Sequence, residues 1–259
     1  MPAQNRQSDL LRKKDMPFLD HLEELRGVLL QCVVVVGVLA IGAWFVSEPV
    51  LRAITKPIGN VVFLSPTEAF TLRVKVSLLT GFLAALPFVL FKAWSFVAPG
   101  LVDTERRFLT IAVFGSTVLF LGGASFAYFA LIPLALTFLL AFGGDYMVPM
   151  ITATSYFGFV SKLTLALGIV FQLPLVVAFG TYAGVIQPEW LLKKWRYAIV
   201  IIAFLSAAIT PPDIASQILV GGPVIGLYFL SAGVSMMIRK REKKEKQTTE
   251  DSSEAGAET

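Results

Sequence analysis

Phe96-Val97-Ala98-Pro99-Gly100-Leu101-Val102-Asp103-Thr104-Glu105-Arg106-Arg107 is a short polar connector between two long apolar runs. Pro99-Gly100 ends the run before it. Proline has no amide proton and its ring clashes one turn back, while glycine accepts the positive φ of a helix terminus. Phe96 is thereby held as the last large ring of one run, and Glu105 stands just ahead of the next. The connector either fixes a carboxylate and an aromatic ring at the rim of a hydrophobic body for a purpose or is an ordinary interhelical turn.

That body is a membrane one. Apolar residues make up 56% of the 259 and charged residues 15%, with a mean hydropathy of +0.73. A soluble domain carries roughly 25% charged residues. The apolar residues also fall in runs too long for a globular core. A net charge of +4 gives no reason to expect nucleic acid. Cys32 is the one cysteine and sits inside an apolar run, so it makes no intrachain disulfide.

Taken in order, the spacing predicts six transmembrane helices, at about 27–46, 66–96, 108–132, 156–182, 197–210 and 214–238. They form a membrane domain over 16–238, between a mobile N-terminus (1–15) and a disordered tail (239–259) that is basic, then acidic. Phe18, Leu22, Leu25 and Leu29 make an apolar stripe leading into the first span, with Asp20 and Glu24 one turn apart on another side. Those two carboxylates are either a solvated face or a cation-binding one. An external loop is expected over 47–65. Ser65-Pro66-Thr67-Glu68 has the form of a capping box and starts the second helix, and Pro87 is expected to bend it. Gly122-Gly123 and Ser125 suit close helix contact in the third. Pro133 should stop that helix, leaving a second external loop over 133–155. Gln172 and Pro174 mark a polar interruption in the fourth. The fifth run is short for a hydrocarbon core of about 30 Å. The sixth should be irregular at Gly221-Gly222-Pro223.

Of the 22 lysines and arginines, 17 fall on one side of this layout; only Arg52, Lys56, Arg73, Lys75 and Lys162 do not. The positive-inside rule then puts both termini and the connector in the cytoplasm. Catalysis finds little support. His21 is the only histidine and lies ahead of the first span, and no phosphate-binding glycine loop is present. The chain reads as a non-enzyme with no cofactor and no metal. What remains is a cytoplasmic group of carboxylates able to take arginine through paired charge-assisted hydrogen bonds.

Several motifs occur together and in order. They are Phe18-Leu19-Asp20-His21-Leu22-Glu23-Glu24-Leu25-Arg26, Ser65-Pro66-Thr67-Glu68-Ala69-Phe70, and Trp94-Ser95-Phe96-Val97-Ala98-Pro99-Gly100-Leu101 leading to Glu105-Arg106-Arg107. Phe126-Ala127-Tyr128-Phe129, Phe171-Gln172-Leu173-Pro174 and Thr210-Pro211-Pro212-Asp213 follow. In this the chain resembles the TatC family of twin-arginine translocase subunits over about 16–238. The resemblance implies an all-α polytopic membrane protein, a concave helical bundle in the bacterial cytoplasmic membrane. It implies a receptor for the twin-arginine signal peptides of folded cargo proteins, exported with the proton-motive force. Glu24, Phe96 and Glu105 match its signal-peptide site. Asp20, Pro99, Gln172, Pro174 and Asp213 match supporting or partner-contact positions, though glutamate is frequent in the family where Gln172 stands. The implied partners are TatA, TatB where it exists, and membrane lipid, in a hetero-oligomer. The competing class is a secondary transporter of small solutes. Against it, no matched pair of broken helices is found in two halves.

Overall fold

The computed structural model describes residues 3–59, 61–97, 106–144, 148–209 and 214–257, with side chains placed for most of 22–240. These residues are almost entirely helical. The helices are α1 (Ala3–Ala43), α2 (Ser47–Thr55), α3 (Pro66–Val97), α4 (Arg106–Phe126), α5 (Ile132–Ala141), α6 (Ala153–Val170), α7 (Leu173–Tyr182), α8 (Pro188–Lys193), α9 (Trp195–Ile209) and α10 (Ile214–Ala257). The only β pairing among the described residues is a single bridge between Val62 and Thr152.

Among the described residues, five helical stretches are long and apolar enough to cross a membrane: Leu22–Thr55, Pro66–Phe96, Thr110–Ala141, Ala153–Tyr182 and Ser216–Lys240. A sixth apolar helix, Trp195–Ile209, is shorter. At 1.5 Å per residue its 15 residues span about 22 Å. Large apolar side chains point away from the protein's own interior: Ile41 is 72% exposed and Phe45 82%. Water would not tolerate such surfaces, and lipid does. The chain is a multi-pass α-helical membrane protein.

Several expected boundaries move, each for a local reason. The external loop expected over 47–65 contains α2. Pro49 lies in its first turn, where a missing amide costs nothing, and Arg52 bonds Glu48 one turn back at 2.7 Å. Pro133 does not stop the third span, which runs to Ala141. A π turn at Ala127–Leu131 shifts the backbone so that Pro133 falls in the first turn of α5, and proline is tolerated there. The loop expected over 133–155 shrinks accordingly. Pro87 and Pro223 both sit inside unbroken helices, so the sixth span carries no interruption at Gly221-Gly222-Pro223. Residues 239–257, expected as a disordered tail, continue α10, and most of 1–15, expected as mobile, belongs to α1. Arginine, lysine, glutamate, glutamine and alanine are strong helix formers that extend a helix already nucleated by the span beside them.

The chain divides into two compact units, Met1–Ile54 with Ser65–Thr117, and Thr55–Leu64 with Val118–Thr259. In the first, α1 packs against α3. In the second, α10 packs against α7, α8 and α9. Thr181 and Ser235 share a hydrogen bond at 2.6 Å, Tyr228 donates to the Leu191 carbonyl at 2.7 Å, and Gln217 donates to the Ala203 carbonyl at 2.8 Å. Val177, Leu191 and Ala232 are buried between them. Gly184, at φ +73°, turns the chain beyond α7.

Candidate functional site

The packing of α1 on α3 sets where the carboxylates and Phe96 lie. A Cβ added at Gly81 would stand 2.4 Å from the Ala40 amide nitrogen, so the two backbones touch there. Further along, Trp44 meets Phe70 edge to face at 5.9 Å between ring centres. Arg73 lies over the Trp44 ring at 5.4 Å and donates to the Ser47 hydroxyl at 3.0 Å. Advancing from Ala40 on α1 to Ser47 at the start of α2 therefore means retreating from Gly81 to Arg73 on α3, and α1 and α3 run antiparallel. Traced the other way, Glu24 is 16 residues before Ala40 and Phe96 is 15 residues after Gly81. These offsets correspond to about 24 and about 22 Å along the two axes. Glu24 and Phe96 thus occupy the same end of one helix pair. Glu23, Glu24 and Arg26 are exposed there, and Phe96 is half-buried in the last turn of α3.

Asp20 lies on α1 one turn before Glu24. Glu105, Pro99 and Asp213 lie outside the described residues. Gln172 and Pro174 belong to the second unit, at the break between α6 and α7. The Gln172 amide donates to the Ile169 carbonyl at 3.0 Å, and the Gln172 carbonyl accepts from the Leu175 and Val176 amides, each at 3.0 Å. Pro174 is buried in the first turn of α7. The break is held by close packing. Phe171 stacks near Phe126 at 5.9 Å, and a Cβ on Gly123 would come within 2.7 Å of the Leu167 carbonyl and the Phe171 ring. Gly122 has open space at its Cβ position, so of the expected small-residue pair Gly123 makes the close contact. Among the described residues no three His, Cys, Asp or Glu side chains gather as a metal ion would need.

Two features were not read from the sequence. One is Gly81 as the crossing point of α1 and α3; a lone glycine in a long apolar helix was the available signal. The other is the place of Arg73, which is bonded within its own chain. Its partners are Trp44, Ser47 and Glu48, the last at 3.7 Å, and they lie about 26 residues away in sequence.

Comparison with known proteins gives a consistent result. The family model described as "Sec-independent protein translocase protein (TatC)" matches residues 20–223. The chain is similar to the Sec-independent protein translocase protein TatC of Carboxydothermus hydrogenoformans, at 36% identity over 90% of this chain and 98% of that protein. The protein of that name from Synechocystis sp. is 38% identical, over 87% of this chain and 90% of its own length. Among solved structures, a crystal structure of the twin-arginine translocase receptor TatC superposes with a TM-score of 0.77 at 35% identity, covering 85% of this chain and 99% of the other. A second crystal structure of that receptor, in DDM, gives a TM-score of 0.77 at 36% identity over 83% of this chain and 99% of the other.

Proposed function

We propose, on the premise that this chain belongs to the TatC family of Sec-independent protein translocase proteins, that it is the receptor subunit of a twin-arginine translocase. It binds signal peptides carrying consecutive arginines and, with TatA-type subunits and TatB where present, exports folded proteins on the proton-motive force. The observation that carries this reading is the placement of Glu24 and Phe96 at one end of the α1–α3 pair. A guanidinium is planar, so it takes a carboxylate through two parallel hydrogen bonds and also lies flat on an aromatic ring. In this reading Glu24 and Glu105 each take one arginine, and Phe96 packs on the stem or plane of one of them. Asp20 adds negative potential one turn from Glu24, and Pro99 is a supporting position. Gln172, Pro174 and Asp213 are supporting or partner-contact positions.

The basic residues support a cytoplasmic placement of this end and of both termini, in the cytoplasmic membrane. Seventeen of the 22 lie on that side. Lysine cannot replace arginine at a paired, stacked site without loss, because an ammonium is a compact point charge.

The test is peptide binding to the purified protein in detergent. Glu105→Gln and Glu24→Gln keep shape and remove charge, and each should weaken a twin-arginine peptide by about 1.5–3 kcal/mol, on the order of ten- to a hundredfold. A twin-lysine peptide should bind the unaltered protein more weakly. Unchanged affinity in both variants would overturn the pairing.

A further inference from the structure

The second unit carries a cleft that uses none of the residues assigned to signal-peptide binding. It has a volume of about 220 Å³ and is lined by Pro188, Glu189, Leu192, Met236, Arg239 and Lys240. α8 supplies one wall and the stretch of α10 just past its apolar part supplies the other. Tyr228 ties the walls together through its bond to the Leu191 carbonyl. Arg239 donates to Glu189 across the cleft, so the single carboxylate there is already neutralised. Lys240 lines the cleft and is exposed, and Lys193, the last residue of α8, is exposed as well.

The surroundings fix the depth of this cleft in the membrane. α9 begins two residues after α8 ends and is only 15 residues long, so its start is drawn to the boundary of the hydrocarbon. The residues there alternate rings and cations. Trp190 is 61% exposed and Tyr197 66%, with Trp195 also exposed. The Lys194 ammonium lies 5.1 Å from the centre of the Tyr197 ring, and the Arg196 guanidinium 5.7 Å from that of Trp195. Tryptophan and tyrosine with lysine and arginine are the side chains that settle at headgroup level. Met237, 70% exposed, continues an apolar surface from the cleft along α10.

We propose that this cleft holds the phosphate headgroup of an anionic phospholipid. Lys193 and Lys240 bind the phosphate, with Arg239 held in place behind them by Glu189, and Leu192 and Met236 line the path of an acyl chain. The observations favour a lipid over a free anion because the cations are joined to an exposed apolar wall at the membrane boundary. A soluble phosphate would gain nothing from Leu192, Met236 or Met237. The inference rests on the chain spanning a membrane and is independent of the signal-peptide reading.

Native mass spectrometry of the purified full-length chain tests it, with phosphatidylglycerol and phosphatidylcholine offered in equal amounts. The unaltered chain should retain phosphatidylglycerol over phosphatidylcholine by about tenfold or more, each basic residue near a headgroup being worth about fivefold. Lys193→Gln with Lys240→Gln should remove most of that preference. Glu189→Gln, which takes away the one carboxylate of the cleft, should raise phosphatidylglycerol retention. Arg52→Gln, at an exposed cation outside the cleft, should leave the preference as it was. Three results would each overturn the proposal: no preference in the unaltered chain, a preference that survives the double substitution, or displacement of phosphatidylglycerol by millimolar inorganic phosphate. Peptide binding measured on the same double variant separates the two sites, since it should not change.

Discussion

The two ends of the α1–α3 pair carry different charged groups. At the Trp44 end, Arg73 is stacked on a ring, bonded to the Ser47 hydroxyl and near the Glu48 carboxylate, and Glu48 also holds Arg52. The cation there is absorbed by its own chain. At the other end Glu23 and Glu24 are exposed, and Phe96 is half-buried in the last turn of α3. The contrast separates architecture from recognition. A charge bound up among its neighbours fixes helix positions. In the proposed reading, exposed carboxylates at the same end as an aromatic ring take an incoming guanidinium.

Substitutions can break or sharpen that contrast. The largest effect should come from the crossing point that both ends depend on. Gly81→Leu drives a side chain into the Ala40 backbone and should destabilise the protein by on the order of 3 kcal/mol, read as a fall in Tm in detergent together with loss of peptide binding. An unchanged Tm would mean that the two helices are not held together at Gly81. Phe96→Ala comes next and should act on one end alone. Peptide affinity should drop by about 1–2 kcal/mol, roughly five- to thirtyfold, while Tm holds. If the variant is instead lost from the membrane, Phe96 is a packing residue and the contrast fails at that end.

Arg73→Gln is the mirror experiment. It removes the stack on Trp44 and should lower stability by on the order of 1 kcal/mol, with peptide affinity as before. A weakened peptide in that variant would show that the two ends are coupled. Glu48→Gln should do least, because its carboxylate is exposed and its ion pairs are screened by salt. A Tm shift as large as that of Arg73→Gln would assign the hold on Arg73 to the carboxylate in place of the ring and the hydroxyl.

Much of this was legible along the chain. Apolar runs announce spans because each residue's transfer into lipid is a local property, summed without knowing what lies opposite. The start of α3 at Pro66 follows from proline's fixed φ, which is also local. The motifs around Glu24 and Phe96 pointed to a cation site for the same reason, since residue types at short spacing are visible in one dimension.

The tertiary structure decided the rest. Pro133 carries the same helix-breaking chemistry as any proline, but the π turn at Ala127–Leu131 places it where that chemistry is harmless. Nothing within a few residues of Arg73 shows that Trp44 and Ser47 will meet it, because the meeting depends on Gly81 facing Ala40. The cleft between α8 and α10 likewise joins residues some 50 positions apart. What the sequence by itself determined is a multi-pass helical protein and its family. Which charges that chain holds for itself was decided by packing, where two backbones settle at the one register their small residues allow and every side chain beyond the contact follows from it.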